Sequence, residues 1–318
     1  MPSDAIDRAF TARRNIGSEA EPTYAGALSF LRRRFSKDVA NTDAVVWGIP
    51  FDAAVSNRPG ARFGPQAIRR ASAIFDVDPQ YPFGIDLFES VAAVDYGDCL
   101  LDYGNHQETP ATIEREATHL LAQTDFLLSL GGDHFVTWPI LKAHAAKHGP
   151  LALVQFDAHQ DTWFDDDKRI DHGSFVARAV RAGIIDPERS IQIGIRTHAP
   201  DDFGLKIIYG HEVEEMRPDE IAAAIEQRTG GHKTYLTFDI DCLDPAYAPG
   251  TGTPVAGGPS SAKMLSVLRK LGGLNVVGAD VVEVAPAYDH ADVTAIAGAT
   301  VAMYYLGLLA EKKRRQSA

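Results

Sequence analysis

A chain of 318 residues, 45% of them hydrophobic, holds enough apolar material for a sizeable core, and its length alone does not separate one α/β domain from two. Its 31 basic residues against 43 acidic ones leave a net charge of −12, which argues against nucleic acid or an anionic membrane as the main partner and would welcome a cationic substrate. Two cysteines, Cys99 and Cys242, are too few and too far apart for a disulfide framework or a metal knuckle, so reduced thiols in a cytoplasmic protein are expected.

From the start, residues 1–20 mix Asp, Arg and Glu with isolated apolar residues and contain no signal-peptide core. Residues 1–40 read as a peripheral arm. No composition shift or linker follows, so residues 1–318 are expected to form one domain including that arm. No apolar run is expected to reach the ~20 residues of a membrane span. Ala44 to Ile49 is the first strand, and the Gly- and Pro-rich stretch from Phe51 to Gly64 is a long loop leading to a helix from Pro65 to Phe75. Strands then follow at Val91–Asp95, Asp125–Leu130, Leu151–Phe156, Ser190–Ile195, Thr234–Ile240 and Asn275–Val282. Helical patterns separate them at Thr109–Ala122, Val136–His148, Phe175–Ala182, Pro218–Arg228 and Ser260–Leu271, and Val293–Ala310 closes the series. Near-continuous apolar strands alternating with helices predict an α/β fold with a mostly parallel sheet covered on both faces. Ligands bind beyond the carboxyl ends of such strands.

Four motifs stand at strand ends. Leu127 to Leu130 runs into Gly131-Gly132-Asp133-His134, and Leu151 to Phe156 into Asp157-Ala158-His159-Gln160-Asp161. Thr237-Phe238 runs into Asp239-Ile240-Asp241, and Val276 to Val282 into Glu283. In extended backbone Asp157, His159 and Asp161 would face one side, as would Asp239 and Asp241, leaving Cys242 to point into the core. Converged, His134 and His159 with Asp157, Asp161, Asp239 and Asp241 make two imidazoles and four carboxylates, whose mutual repulsion two divalent cations would neutralise. Oxygen-rich ligation with some imidazole suits Mn²⁺ better than structural zinc, and a metal pair supplies hydroxide near neutral pH, which implies hydrolysis. Asp133 and Asp244 read as caps rather than ligands. His172, in the polar Asp171-His172-Gly173-Ser174, is either exposed or part of the site; His106, His119, His144, His148 and His211 read as surface residues.

The Gly-Gly-Asp-His, Asp-Ala-His-x-Asp and Asp-x-Asp-x-x-Asp-Pro motifs, in this order, resemble those of the ureohydrolase (arginase and agmatinase) family. The stretches Gly48–Asp52, Gly131–Trp138, Tyr235–Thr253 and Asp280–Asp289 are most similar to bacterial agmatinases. The resemblance implies a three-layer α/β/α sandwich, two Mn²⁺ per subunit, a homotrimer or homohexamer, and hydrolysis of a small cationic guanidino substrate. It implies that His134, Asp157, His159, Asp161, Asp239 and Asp241 hold the metals with Asp157 and Asp239 as bridges. It further implies that His172 shuttles protons and Glu283 holds the guanidinium.

Substrate choice must fall on loops facing the far end of the guanidine. The short stretch from Thr162 to Asp171 lacks the longer polar loop of arginases, which disfavours arginine. Asp165, Asp166 and Asp167 would form an acidic rim attracting the ammonium of agmatine, with Lys168, Arg169, Arg58 and Arg62 as counterweights. Trp163, a further candidate for substrate contact, stands where agmatinases carry a small or Tyr-like residue, which leaves room for a guanidino acid such as guanidinobutyrate or guanidinopropionate. A metal-free binding protein is the reading from another class, and the intact ligand set argues against it.

Overall fold

Among the residues described, 22–317 except 78, 165 and 167, the computed structural model alternates strands with helices along most of its length. The strands are β1 Ala44–Gly48, β2 Ala93–Asp98, β3 Phe126–Leu130, β4 Ala152–Phe156, β5 Ile191–Ile195, β6 Lys206–Tyr209, β7 Lys233–Asp239 and β8 Asn275–Val282. The helices are α1 Gly64–Ser72, α2 Leu87–Ser90, α3 Thr109–Leu121, α4 Thr137–His148, α5 Phe175–Arg181, α6 Gly210–Glu215, α7 Pro218–Thr229, α8 Ser261–Leu268 and α9 Val293–Ser317. Seven of the strands lie within three residues of the positions the apolar runs predict. The eighth, β6, has only four residues and is partly exposed at the sheet edge, so it lacks the continuous apolar run that betrays a buried strand.

All neighbouring strands pair in parallel, in the order β2-β1-β3-β8-β7-β4-β5-β6. Successive side chains on each strand enter opposite layers, as the two-residue period dictates. Val46, Leu128 and Leu236 face one core with Ile68, Ile221, Met264 and Leu306 of α1, α7, α8 and α9. Val45, Leu127 and Tyr235 face the other with Ile113, Ile140 and Phe175 of α3, α4 and α5. Each such side chain, fully buried, contributes about 1.5–3 kcal/mol by transfer from water. The result is a three-layer α/β/α sandwich.

Register decides where the site falls. Leu130 pairs with Val281, Val281 with Phe238, and Phe238 with Phe156, so one row crosses β3, β8, β7 and β4. The four motifs begin just beyond that row. They are scattered over about half the sequence and adjacent in the sheet.

Three local expectations change. Residues 1–21 of the arm lie outside the described residues, but the stretch that follows is not merely peripheral: Phe30 is fully buried, its N–H donates to Asp95 Oδ2 at 2.7 Å, and the Leu31 N–H donates to Ser72 Oγ at 2.8 Å. His144 is buried too, because α4 turns it onto β8 at Gly278, where the missing side chain makes room: a Cβ there would come within 2.2 Å of His144 Nε2. Finally, α9 is long and apolar enough by length and composition to cross a membrane, contrary to the expectation that no such run exists. Most of it is nevertheless buried inside the fold, against α1, α8 and β8.

Candidate metal centre

The two Asp motifs do not stay extended. β4 stops at Phe156 and β7 at Asp239, and each chain then bends because an aspartate accepts a hydrogen bond from the N–H two residues on. Asp157 Oδ1 takes the His159 N–H at 2.6 Å, and Asp239 Oδ1 takes the Asp241 N–H at 2.8 Å. One oxygen of each aspartate thus makes the turn and the other faces the site. Convergence comes from paired turns, not from the alternation of a pleated strand, and Asp161 completes the first turn in left-handed backbone at φ +52°. Cys242 is buried in the core as its position predicts.

His134 arrives from β3 on a short 3-10 turn capped by Asp133, which accepts the Phe135 N–H at 3.2 Å and the Ala54 N–H at 2.9 Å. Gly132 permits this approach, since a Cβ there would stand 1.7 Å from the Phe51 carbonyl oxygen. His134 Nδ1 lies 3.0 Å from Asp157 Oδ2, 3.0 Å from Asp161 Oδ2 and 3.3 Å from Asp239 Oδ2. His159 Nδ1 lies 3.1 Å from Asp241 Oδ2 and 3.5 Å from Asp157 Oδ1. Two groups able to hold a metal ion emerge, His134-Asp157-Asp239 and Asp157-His159-Asp241, sharing Asp157. Asp239 stands in the first group alone.

Hydrogen bonding behind His134 shows what Nδ1 awaits. The Thr237 hydroxyl donates to Asp280 Oδ1 at 2.5 Å, so its oxygen is left to accept from His134 Nε2 at 2.8 Å. Nδ1 then carries a lone pair, buried among carboxylate oxygens with no hydrogen-bond partner among the described residues. Lone pair and anionic oxygens at this distance repel unless a cation, or less effectively a proton, lies between them. The electrostatics agree. Burial alone would lower both imidazoles, yet the surrounding aspartates raise His134 well above its ordinary value and push His159 up to about 12. Burial and the charge of Asp157 lift Asp161 to about 6, while burial, Asp241 and Asp157 raise Asp239. Asp157 goes the other way, its burial outweighed by His134 and His159. So many carboxylates cannot all ionise together here without added positive charge. The donor set fits a pair of divalent cations.

Beside the ligands, Glu283 sits at the end of β8 in left-handed backbone at φ +63° and is buried. Its Oε1 accepts the His134 N–H at 2.9 Å and lies 2.9 Å from His172 Nδ1, while Oε2 has no partner among the described residues. His172 is therefore not merely exposed. Burial lowers its pKa, and Glu283 reverses this, pushing it up to about 9. Cations at the neighbouring aspartates would reduce that basicity. The Ser56 N–H, directed at His172 Nε2 from 3.1 Å, requires a lone pair there and favours the neutral ring with its hydrogen towards Glu283.

A cavity of about 300 Å³, at the small end for ligand sites, opens over these groups, with Ser56, Trp163, Asp171 and Thr253 on its wall. Of the acidic rim, Asp165 and Asp167 lie outside the described residues; Asp166 is exposed and absent from the wall. Arg62 pairs with Asp52, and Arg58 lies over the Tyr288 ring. Sequence patterns gave no sign of Ser56 in its loop, and although Thr237 and Asp280 fall in stretches that read like the family, nothing in a strand's apolar pattern shows that they support His134 from behind. Thr253, 3.3 Å from Asp241 Oδ2, does fall in a stretch that reads like the family.

A model of the Arginase family matches residues 42–307. The chain is 50% identical over 299 residues to an agmatinase of Chromobacterium violaceum, with 93% of each chain covered. Among solved structures it is similar to one described as a hypothetical agmatinase from Burkholderia thailandensis, with a TM-score of 0.91 and 47% identity over 98% of this chain and 99% of that one. It is also similar to the proclavaminate amidino hydrolase of Streptomyces clavuligerus, with a TM-score of 0.88 and 37% identity over 92% of this chain and 100% of the other.

Proposed function

The chain belongs to the arginase family and is a hydrolase acting on a guanidino group, and from that premise we propose that it cleaves agmatine to putrescine and urea using two Mn²⁺ ions. Relatives at 45–50% identity carry the name agmatinase, which supports the reading. The proclavaminate enzyme, also similar across the chain, bears another substrate's name, so the site itself must favour one guanidine over another. The observation that carries agmatine is the sign of the cavity wall: among the described residues it includes no lysine or arginine, and it does include carboxylates. Guanidinobutyrate or guanidinopropionate would bring a carboxylate to a wall without a cation to receive it.

In this reading His134, Asp157, His159, Asp161, Asp239 and Asp241 hold the cations, and their nitrogen-and-oxygen composition suits Mn²⁺. When bound, the ion pair supplies Lewis-acid activation of water near neutral pH. Glu283 orients the substrate. Its partnerless Oε2 accepts from the planar guanidinium in a charge-assisted hydrogen bond, while Oε1 stays fixed by the His134 N–H and His172. His172 Nε2, whose lone pair faces the Ser56 N–H at rest, takes the proton lost by the activated water and returns it to the departing amine, with the Ser56 hydroxyl 2.8 Å away on the same wall to pass it on. Trp163, its ring centred 6.5 Å from that of His159, narrows the cavity around the methylene chain.

The test is urea release by the Mn²⁺-loaded protein from agmatine, arginine, 4-guanidinobutyrate and 3-guanidinopropionate side by side. Agmatine is expected to give the highest kcat/KM. If 4-guanidinobutyrate wins by about tenfold, roughly 1.4 kcal/mol in transition-state binding, the substrate assignment fails.

A further inference from the structure

The cavity is graded from a buried floor to an open mouth. Asp161 and Asp239 on its inner wall are almost wholly buried, as is Glu283 behind His134 and His172, whereas the Asp171 side chain is 29% exposed. With the residues already given a role set aside, the described part of the wall retains Asp171, Gly173 and Thr253, of which only Asp171 is ionisable. A substrate held by its guanidinium at the floor projects its far end towards the mouth. An ammonium there meets one carboxylate, on a wall that Trp163 makes apolar along the way.

From this geometry we infer that Asp171 receives the distal ammonium of the substrate and sets the preference for a cationic over a neutral or anionic tail, an inference that rests on the agmatine reading above. Asp171 is built to do this. Its Oδ1 is committed to the Gly173 N–H at 2.8 Å, which fixes the side chain at the start of the short turn carrying His172. Among the described residues its Oδ2 has a single long contact, 3.5 Å, with Arg169 Nε on a side chain 60% exposed. An ammonium approaching from inside the cavity is better placed than that exposed guanidinium to complete a charge-assisted hydrogen bond with Oδ2. The acidic determinant then lies on the wall beside His172.

Asp171→Asn separates charge from structure, since an asparagine oxygen can still accept the Gly173 N–H. The measurement is kcat/KM for agmatine relative to butylguanidine, which has the same chain without the ammonium, with 4-guanidinobutyrate as the anionic tail. Butylguanidine is followed as a competitive inhibitor should its turnover be too slow. The variant is expected to lower the agmatine-to-butylguanidine ratio by about tenfold or more, the size of one hydrogen bond to a charged group, with the loss in KM and not in kcat. It is also expected to improve 4-guanidinobutyrate relative to agmatine. A common fall in kcat for all three substrates would mean that Asp171 acts only by positioning His172, and an unaltered ratio would mean that Arg169 already neutralises it; either result overturns the inference. Failure of the parent protein to use agmatine overturns the substrate assignment first, and is distinguished because it appears before any substitution is made.

Discussion

Carboxylates at the candidate site differ in what they present to it. Asp161 and Glu283 are both buried carboxylates in left-handed backbone, yet Asp161 presents Oδ2 to His134 Nδ1 and Glu283 leaves Oε2 without a partner. Their amide variants should therefore diverge. Asp161→Asn, tolerated at this φ because asparagine adopts left-handed backbone readily, is expected to weaken metal binding at least tenfold and to abolish most urea release. Glu283→Gln is expected to keep full metal stoichiometry and lose activity by about 10² or more through the guanidinium contact. Metal analysis after dialysis, set beside a urea assay, distinguishes them, and retained metal in Asp161→Asn would count against its place in the centre. Asp161 was visible in the sequence, as a run of alternating ligand types after an apolar strand has few other uses, and Glu283 as an acid at a strand end whose role came from the family resemblance. The fact that Glu283 holds one oxygen in reserve was not, because it depends on a hydrogen bond to the His134 N–H, 149 residues away.

Elements impose their own chemistry. Helix α4 was legible from its pattern, but not which face it buries, and so His144 read as a surface residue. Packed edge-on to Tyr235 with ring centroids 4.9 Å apart, and buried against Gly278 of β8, its imidazole is held down to about 4 by loss of solvent. The folded protein thus keeps His144 neutral where the unfolded chain, near its ordinary value of 6.5, would protonate it. Above that value the group costs nothing. As pH falls from 6.5 towards 4 the unfolded state gains a proton that the folded state does not, and stability declines by up to about 3 kcal/mol from this residue. Denaturant unfolding at pH 7, 5.5 and 4.5 should show a shallower decline in His144→Leu than in the parent; equal slopes would remove His144 as a cause. The same limit on sequence reading applies to the paired Asp turns. Their side-chain spacing was plain, but the turns form because strand pairing ends at a particular row, and that row is set by neighbouring strands.

For the whole molecule, the centre joins loops that follow β3, β4 and β7, with Glu283 of β8 between them. Cations that bind the folded arrangement and not the unfolded chain stabilise it by mass action, about 2.7 kcal/mol at a hundredfold excess over Kd. Chelation is accordingly expected to lower the melting temperature by several degrees in the parent and by much less in Asp161→Asn, with calorimetry as the readout; an equal shift in both would place the stabilising metal elsewhere. By itself the sequence determined the alternation of strand and helix, the parallel character of the sheet and the chemical type of nearly every candidate ligand, since these follow from local periodicity and from residue types at strand ends. The tertiary structure alone decided that strands third, eighth, seventh and fourth in the chain are neighbours with their last residues in one row. It alone also brought Ser56, Thr237, Asp280 and Asp171 to the same place. The physical reason is that strand order and register come from the summed packing of both helical layers on the sheet. A site assembled from loops far apart in the chain inherits its geometry from that sum and not from any single stretch.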